Sequence, residues 1–275
     1  MRIDLHTHSS RSDGTDTPAE LVRKAAEARL DVMALTDHDT VKGWPEALAA
    51  GREHGVRVVT GIELSVTDEA SGRHLLAYAV DPGHPRLAEV LRKAETSRED
   101  RIAELFMRLA ELDMPVDEQR VRADAGGIPS RKHIAGAMVA AGHVADEDEA
   151  FREWLNEGRP AYVKRYRPDI VEAIEIVHDA GGKAVIAHPR DTRRGPGIDD
   201  DRMAELAEAG LDGIEVDHQA HDPGIRDDLR ALAEHLGLIA TGSSDHHGAR
   251  KVDHDLGCNL TDPEQARRLL GELAL

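Results

Sequence analysis

Length, composition and charge limit the class of protein. The chain has 275 residues, and 35 basic against 53 acidic residues give a formal net charge of −18. This surplus disfavours broad binding to nucleic acid or to an anionic membrane, although bound cations can reverse the local field. The single cysteine, Cys258, excludes an internal disulfide and a cysteine-rich zinc site. Since no signal peptide and no run of roughly 18 apolar residues is found, we expect a cytoplasmic protein.

The first part of the chain alternates short apolar runs with stretches rich in Ala, Leu, Glu and Lys. Residues 3–6 predict a strand. "TDTPAELVRKAAEARL" then predicts a helix with Thr17 as its N-cap, Pro18 at its first position and Glu20 closing a capping box. The next predicted elements are a strand over 31–39, a helix over 43–55, and strands over 56–66 and 73–80.

The middle of the chain differs in composition. Helical segments over 91–113, 130–142 and 146–158 follow each other with no strand between them, which predicts an inserted all-helical cap over 91–165. The alternation then resumes with strands over 183–189, 213–216 and 238–247 and helices near 199–209 and 224–236. Seven strands alternating with helices predict an α/β fold, a barrel built from 1–90 and 166–275.

Titratable side chains recur where the predicted strands end, which is where α/β folds place their active sites. His6 and His8 lie two apart on one strand, so both imidazoles can point to the same side. Glu63 stands between apolar runs, where a carboxylate must be paired or bind a cation. His74 begins its strand, so it fits this edge only if that strand runs antiparallel.

These residue types predict a metal centre. Imidazole and carboxylate without thiolate favour Mn, Fe or Zn, and the number of ligands implies two or three divalent ions. The candidate ligands at these strand ends are His6, His8, Asp13, Asp37, His38, Asp39, Glu63, His74, His188, Asp245 and His247.

The motifs "DLHTHSSRSDGT", "LTDHDT", "GIELS", "HLLAY", "AHP" and "GSSDHH" resemble, in order, those of the PHP (polymerase and histidinol phosphatase) family of metal-dependent phosphoesterases. The resemblance runs from residue 4 to residue 247. The inserted helices resemble those of the subgroup with 3′,5′-nucleoside bisphosphate phosphatases and a related 5′–3′ exoribonuclease. The family fold is a distorted seven-stranded β/α (TIM-like) barrel with a trinuclear centre, which the resemblance implies here.

The resemblance also implies how the ligands divide among three ions. A first ion would be held by His6, His8, Glu63 and Asp245. Glu63 would bridge to a second ion held by His74 and His188, and the third would be held by Asp13, His38 and His247. Asp37 is expected to orient a ligand from outside the cluster.

Other residues are candidates for catalysis and substrate binding. Beside Glu63 and Asp245, His218 is a candidate for a direct phosphate or acid role, with His221 as a further substrate contact. "EVDHQAHDP" departs from the subgroup pattern at Asp217 and Gln219, which leaves local substrate contacts open.

In the cap, a helix start that attracts anions and a nearby basic stretch predict a grip on a second phosphate. A solvated basic face is the alternative. The cap residues concerned are Ser130, Arg131, His133, Arg159, Lys164 and Arg165.

Together with this resemblance, the sequence predicts a metal-dependent phosphatase of small nucleotides, most of all 3′,5′-nucleoside bisphosphates. We expect a metal-activated hydroxide to attack phosphorus and release a 5′-nucleotide and phosphate. The alternatives are a 5′–3′ exoribonuclease on short RNA, a histidinol-phosphate phosphatase and a non-catalytic metal-binding regulatory domain. The expected partner is a small phosphorylated substrate, without a stable nucleic-acid complex or membrane contact.

Overall fold

The chain forms two compact units, and the segment that forms the smaller one interrupts the sequence of the larger one. The computed structural model describes residues 1–69, 71–125, 129–192 and 196–271. The larger unit, here the barrel unit, combines Met1–Leu91 with Arg167–Leu275. The smaller one, the helical unit, is Arg92–Tyr166.

Seven strands form one sheet whose spatial order is the chain order. They are β1 (Ile3–Thr7), β2 (Val32–Leu35), β3 (Arg57–Asp68), β4 (Ser71–Tyr78), β5 (Lys183–Ile186), β6 (Gly213–Asp217) and β7 (Ile239–Gly242). The chain after β7 returns to β1, since the N–H of His8 donates to the carbonyl of His246 at 2.9 Å. The sheet is therefore a nearly closed barrel with helices, and the predicted α/β barrel class is confirmed.

Ten α-helices lie in the described residues. They are α1 (Pro18–Glu27), α2 (Trp44–His54), α3 (Pro85–Glu111), α4 (Glu118–Ala125), α5 (Arg131–Ala140), α6 (Glu147–Glu149), α7 (Ile170–Asp179), α8 (Asp200–Glu208), α9 (Pro223–Leu236) and α10 (Pro263–Leu270). The predicted capping box of α1 is present: the Thr17 hydroxyl accepts from the N–H of Glu20 at 3.2 Å, and the Glu20 carboxylate accepts from the N–H of Thr17 at 2.9 Å.

Some helices differ from their predicted extents. α3 begins at Pro85, before the predicted 91, and the segment predicted as a helix over 146–158 is a short α6 continued by a π-helical turn, Ala150–Leu155. α4 was not predicted, because only Val121 of its eight residues is buried and the apolar pattern is correspondingly weak. None of the described helices is long and apolar enough to cross a membrane.

The direction of β4 explains how His74, which begins its predicted strand, reaches the same edge as the other predicted ligands. β1, β2 and β3 are parallel, as are β5, β6 and β7, whereas β4 is antiparallel to both β3 and β5. The start of β4 therefore lies at the edge where the parallel strands end. His74 pairs with Ser65 at this edge, so a histidine at the beginning of a strand joins those at the ends of others.

Each unit has a hydrophobic core of its own. In the barrel unit, Tyr78 is fully buried among Ile3, Leu5 and Val185, and its hydroxyl donates to the Leu5 carbonyl at 2.8 Å. The core of the helical unit is built mainly from α3 and α5 and includes Ile102, Leu105, Leu109, Ile134 and Met138. Fully burying one such side chain contributes about 1.5–3 kcal/mol. Cys258, the single cysteine, is exposed.

Candidate metal centre

All nine predicted metal ligands converge at one edge of the barrel. His6 lies on β1, Glu63 on β3 and His74 on β4, while the others follow β1, β2, β5 and β7. His6 and His8 do point to the same side, with their Nε2 atoms 3.0 Å apart. In the loop after His8, a Cβ added to Gly14 would lie 2.5 Å from the His8 carbonyl oxygen, so glycine permits the loop to fold back closely.

Glu63 is the centre of the cluster. Its side chain is 1% exposed. One carboxylate oxygen, Oε2, faces three imidazoles: His6 Nε2 at 3.2 Å, His8 Nε2 at 3.0 Å and His38 Nδ1 at 3.1 Å. The other oxygen, Oε1, faces two: His74 Nδ1 at 2.5 Å and His188 Nε2 at 3.1 Å. A carboxylate whose two oxygens face separate imidazole groups has the arrangement of a bridging metal ligand.

The spacing of the first group fits a single cation. His6 Nε2, His8 Nε2, Glu63 Oε2 and Asp245 Oδ1 lie within 4.8 Å of one another, and the separations in which His6 or His8 takes part run from 3.0 to 3.5 Å. Ligand atoms about 2.1 Å from one ion lie about 3.0 Å apart at right angles and about 3.4 Å apart at tetrahedral angles. The donor set therefore has the dimensions of a coordination shell.

A second observation of fit comes from His38. Its Nδ1 is buried and has no hydrogen-bond partner, although it lies 3.1 Å from Glu63 Oε2. On the other side of the ring, Nε2 lies 3.7 Å from Asp13 Oδ2, and the other Asp13 oxygen lies 3.3 Å from His247 Nε2. His8, Asp13, His38 and His247 form a further group whose ligand atoms lie within 4.8 Å of one another. A buried nitrogen without a partner is costly, and a cation would satisfy it.

Residues outside the cluster fix its ligands. Glu215 is fully buried; its Oε1 accepts from His6 Nδ1 at 2.9 Å and its Oε2 from the N–H of His188 at 2.8 Å. His6 therefore carries its hydrogen on Nδ1 and presents the Nε2 lone pair to the cluster. Asp37 accepts from the N–H of Ser9 at 2.8 Å and the hydroxyl of Ser12 at 2.7 Å, which orders the loop after His8.

The sequence reading missed Glu215. A signal was available, because a carboxylate within the apolar run "GIEV" invites the same reasoning that identified Glu63. His254 was also missed; it lies near His218 and Asp245. Its Nδ1 contacts the carbonyl of Ser244 at 2.7 Å.

The electrostatics keep the carboxylates ionised. Burial alone would raise the pKa of Glu63, but imidazoles, His38 first, hold it well below its usual range. The pKa of Asp245 is likewise held low, by His6 first, against the effect of burial. Burial would lower the pKa of His8, yet its contacts with Asp245 and Glu63 raise it to about 9. At neutral pH the ionised carboxylates are thus paired with a protonated His8, and a cation that binds there must displace the His8 proton.

Backbone geometry at two ligands supports a specialised site. His188 has a φ of 32° and Asp245 a φ of 51°, both in the left-handed region that residues other than glycine seldom adopt. Such backbones cost of the order of 1–3 kcal/mol and persist where the surroundings fix them. Here those surroundings include the Glu215 bond to the N–H of His188.

His218 and His221 occupy different environments. The N–H of Ala220 donates to His218 Nδ1 at 3.0 Å, so the neutral His218 ring carries its hydrogen on Nε2, which lies 3.2 Å from Asp245 Oδ2. His218 is thus a hydrogen-bond donor beside the cluster. Both nitrogens of His221 are engaged: Nδ1 with the Val216 carbonyl at 2.9 Å and Nε2 with the N–H of Arg190 at 3.3 Å.

The residues predicted for a second phosphate lie in the helical unit, at the start of α5 and in the 163–166 segment, except for Arg159, which is exposed in the turn after Asn156. The N–H of Ser130 donates to His133 Nδ1 at 3.0 Å. Arg131 donates from Nη1 to the Leu155 carbonyl at 3.0 Å. Lys164 is exposed and lines a groove of about 290 Å³ with Arg92, Lys93, Thr96, Ser97, Asp100, Arg101, Glu104, Val163 and Tyr166. Their roles toward substrate remain predictions.

An α/β barrel with clustered imidazole and carboxylate ligands at its strand ends defines a metal-dependent hydrolase. Comparison with known proteins identifies the family of hydrolases. The PHP domain matches residues 4–107. A 5′–3′ exoribonuclease of Haemophilus influenzae is 35% identical over 247 residues, which cover 90% of each chain. A 3′,5′-nucleoside bisphosphate phosphatase of Chromobacterium violaceum is 33% identical over 276 residues, covering 98% of this chain and 96% of that protein.

Solved structures agree. A structure described as a metal-dependent phosphoesterase from Bifidobacterium adolescentis is similar with a TM-score of 0.88 and 34% identity, covering 98% of this chain and 95% of that one. The chain belongs to the PHP domain family, as its motifs predicted. It is an enzyme, a metal-dependent phosphoesterase of the phosphatase kind, and its His, Asp and Glu clusters can hold the metal.

Proposed function

We propose that the protein hydrolyses phosphate monoesters of small nucleotides, with 3′,5′-nucleoside bisphosphates as its main substrates. It uses two or three divalent ions, Mn, Fe or Zn, held by the nine ligands of the cluster, with Glu63 at its centre. The observation that carries this proposal is the convergence of five imidazoles on the two oxygens of that one carboxylate. The bisphosphate preference is supported by the relative of that activity, which is matched over nearly the whole of both chains.

The residues of the cluster divide the work. Divalent ions at such a site lower the pKa of a bound water and neutralise phosphoryl oxygens. Glu63 joins the ligand groups through its two oxygens, and Asp245 offers Oδ1 to the first of them. His218 donates its Nε2 hydrogen beside Asp245. Because Nδ1 of His218 accepts a backbone hydrogen bond, the one hydrogen of the neutral ring lies on Nε2, where it orients Asp245 through Oδ2.

A second candidate function is 5′–3′ exonuclease action on short RNA with the same ligands. The observation that favours it is the 35% identity to an exoribonuclease over 90% of both chains. Both functions break a phosphate ester, so the cluster alone does not separate them. They differ in the ester that is cleaved, which is a terminal phosphate monoester in one case and the phosphodiester to the next nucleotide in the other.

The test is a substrate screen with the purified protein after analysis of its metal content. Phosphate release from adenosine 3′,5′-bisphosphate, mononucleotide release from a 5′-phosphorylated oligoribonucleotide, and phosphate release from histidinol phosphate are measured with Mn²⁺ added. The proposal expects the highest kcat/KM for the bisphosphate. A higher value for the oligoribonucleotide would transfer the assignment to the second candidate, and no hydrolysis of any of the three would reject both.

A matched pair of variants ties the activity to the cluster. Glu63→Gln keeps the shape of the bridging side chain but removes its charge, and we expect loss of bound metal and activity together. Asp212→Asn makes the same change at a carboxylate that pairs with Lys183 and His178 outside the cluster. Full activity in Glu63→Gln would contradict the proposed site.

A further inference from the structure

The two oxygens of Asp245 face different partners. Oδ1 faces the ligand cluster: His6 Nε2 at 3.5 Å, His8 Nε2 at 3.4 Å and His247 Nδ1 at 3.4 Å. Oδ2 faces away from these imidazoles and contacts His218 Nε2 at 3.2 Å and the ammonium of Lys251. The Asp245 side chain is only 4% exposed, so this division holds in a buried environment.

Both partners of Oδ2 are hydrogen-bond donors. An ammonium has donors only, and His218 is fixed as an Nε2–H donor because its Nδ1 accepts from the N–H of Ala220 at 3.0 Å. Oδ2 is therefore occupied by two donors, while Oδ1 keeps its lone pairs for the cluster. A carboxylate held in this way offers one oxygen to a cation, and a carboxylate without these partners is free to turn and offer both.

Lys251 also brings a positive charge to the cluster. It follows the short 3₁₀ turn Gly248–Arg250, and its side chain is 26% exposed, so it reaches Asp245 from the solvent side. Opposite charges at hydrogen-bond distance interact strongly where water is largely excluded. The lysine therefore lowers the attraction of the cluster for a divalent cation while it fixes the orientation of one ligand.

We propose that Lys251 is a positioning residue of this metal centre. With His218 it holds Oδ2 of Asp245, so that Asp245 presents Oδ1 alone, and its charge limits how tightly the cluster binds a divalent ion. This inference rests on the proposed function only in taking Asp245 as a metal ligand. This role of Lys251 was not evident from the sequence, since lysine is not a metal ligand and Lys251 lies outside the recognised motifs.

The experiment compares Lys251→Met, Lys251→Arg and the control Lys183→Met in the full-length protein. Lys183 forms an ion pair with Asp212 at 2.8 Å, outside the cluster, so its variant removes the same charge elsewhere. Mn²⁺ affinity is measured by titration of the chelator-treated protein, and kcat and KM are measured with the substrate that the screen selects. Circular dichroism checks that each variant is folded, and Lys251→Gln replaces the methionine variant if that one does not fold.

We expect Lys251→Met to bind Mn²⁺ about tenfold more tightly than wild type, which corresponds to about 1.4 kcal/mol. Its kcat should fall about tenfold with little change in KM, because Oδ2 of Asp245 keeps only the His218 contact and the carboxylate is held less firmly. Lys251→Arg should restore the wild-type Mn²⁺ affinity, and Lys183→Met should match wild type in all three quantities.

Equal Mn²⁺ affinity in Lys251→Met and Lys183→Met would overturn the inference. So would a raised KM with unchanged kcat and affinity, which would make Lys251 a substrate contact. The Mn²⁺ titration needs no substrate, so it tests the role of Lys251 even if the substrate screen rejects the proposed function. The screen uses the wild-type protein, so it tests the function even if Lys251 has no role.

Discussion

The Glu215→Gln substitution tests whether the outer contacts of the cluster determine its metal binding. Glu215 is fully buried and accepts three hydrogen bonds: from His6 Nδ1 at 2.9 Å, from the N–H of His188 at 2.8 Å and from the hydroxyl of Ser243. Glutamine has the same shape but only one acceptor oxygen. If that oxygen serves His6 and Ser243, the amide NH₂ faces the N–H of His188, and two donors meet.

The size of the effect follows from these contacts. One buried donor without an acceptor costs about 1–3 kcal/mol, and the loss of charge weakens the remaining bonds. We therefore expect Glu215→Gln to lower the free energy of unfolding by about 2 kcal/mol. Its Mn²⁺ affinity should fall about 10–100-fold, because the His6 ring loses the partner that fixes its tautomer and orientation.

Urea denaturation gives the first quantity and Mn²⁺ titration of the chelator-treated protein gives the second. Asp212→Asn serves as the control, since it removes a partly buried carboxylate that pairs with His178 and Lys183. The control should lose stability and keep its Mn²⁺ affinity. If Glu215→Gln binds Mn²⁺ as tightly as wild type, then Glu215 supports the fold alone and the tautomer argument for His6 fails.

Three further predictions concern charge, metal and substrate. Mn²⁺ affinity should rise with pH up to about 9, because the metal must displace the proton of His8, whose pKa is raised to about 9. An Mn²⁺ affinity that does not change with pH would contradict this prediction. Excess Mn²⁺ should stabilise the protein by about 2.7 kcal/mol at 100 times its Kd, seen as a higher Tm that a chelator reverses; an unchanged Tm would count against a native metal site. Arg131→Ala should raise the KM for adenosine 3′,5′-bisphosphate far more than the KM for a monophosphate. The control is Arg120→Ala, which should change neither KM, because the Arg120 side chain is 73% exposed in the same unit. Equal KM changes for the two substrates in Arg131→Ala would remove Arg131 from phosphate recognition.

The strand pattern and the motif residues were accessible from the sequence because they depend on local spacing. His6 and His8 lie two apart on a strand, so their shared direction follows from strand geometry. Glu63 stands in an apolar strand, where burial demands a partner. All seven strands were predicted, and so was the barrel class.

Other features depended on long-range pairing and could not be predicted in this way. The antiparallel direction of β4, which brings His74 to the cluster, is set by its neighbours β3 and β5. The extents of α3 and of the 146–158 segment also differed from prediction, because helix ends depend on packing as much as on sequence pattern. Motif reasoning favours residues that can bind metal, so it passed over Lys251, which acts through its charge.

The sequence alone determined that the motif imidazoles and carboxylates gather at the strand ends, because residue type and spacing fix what a strand end can offer. Only the tertiary structure decided which atom of each side chain faces the cluster. His6 is held by Glu215, 209 positions away, and the two oxygens of Asp245 are divided between the imidazoles and Lys251. Tautomers and carboxylate orientations are set by partners distant in the chain, and those partners meet only when β7 returns to β1 and the barrel nearly closes.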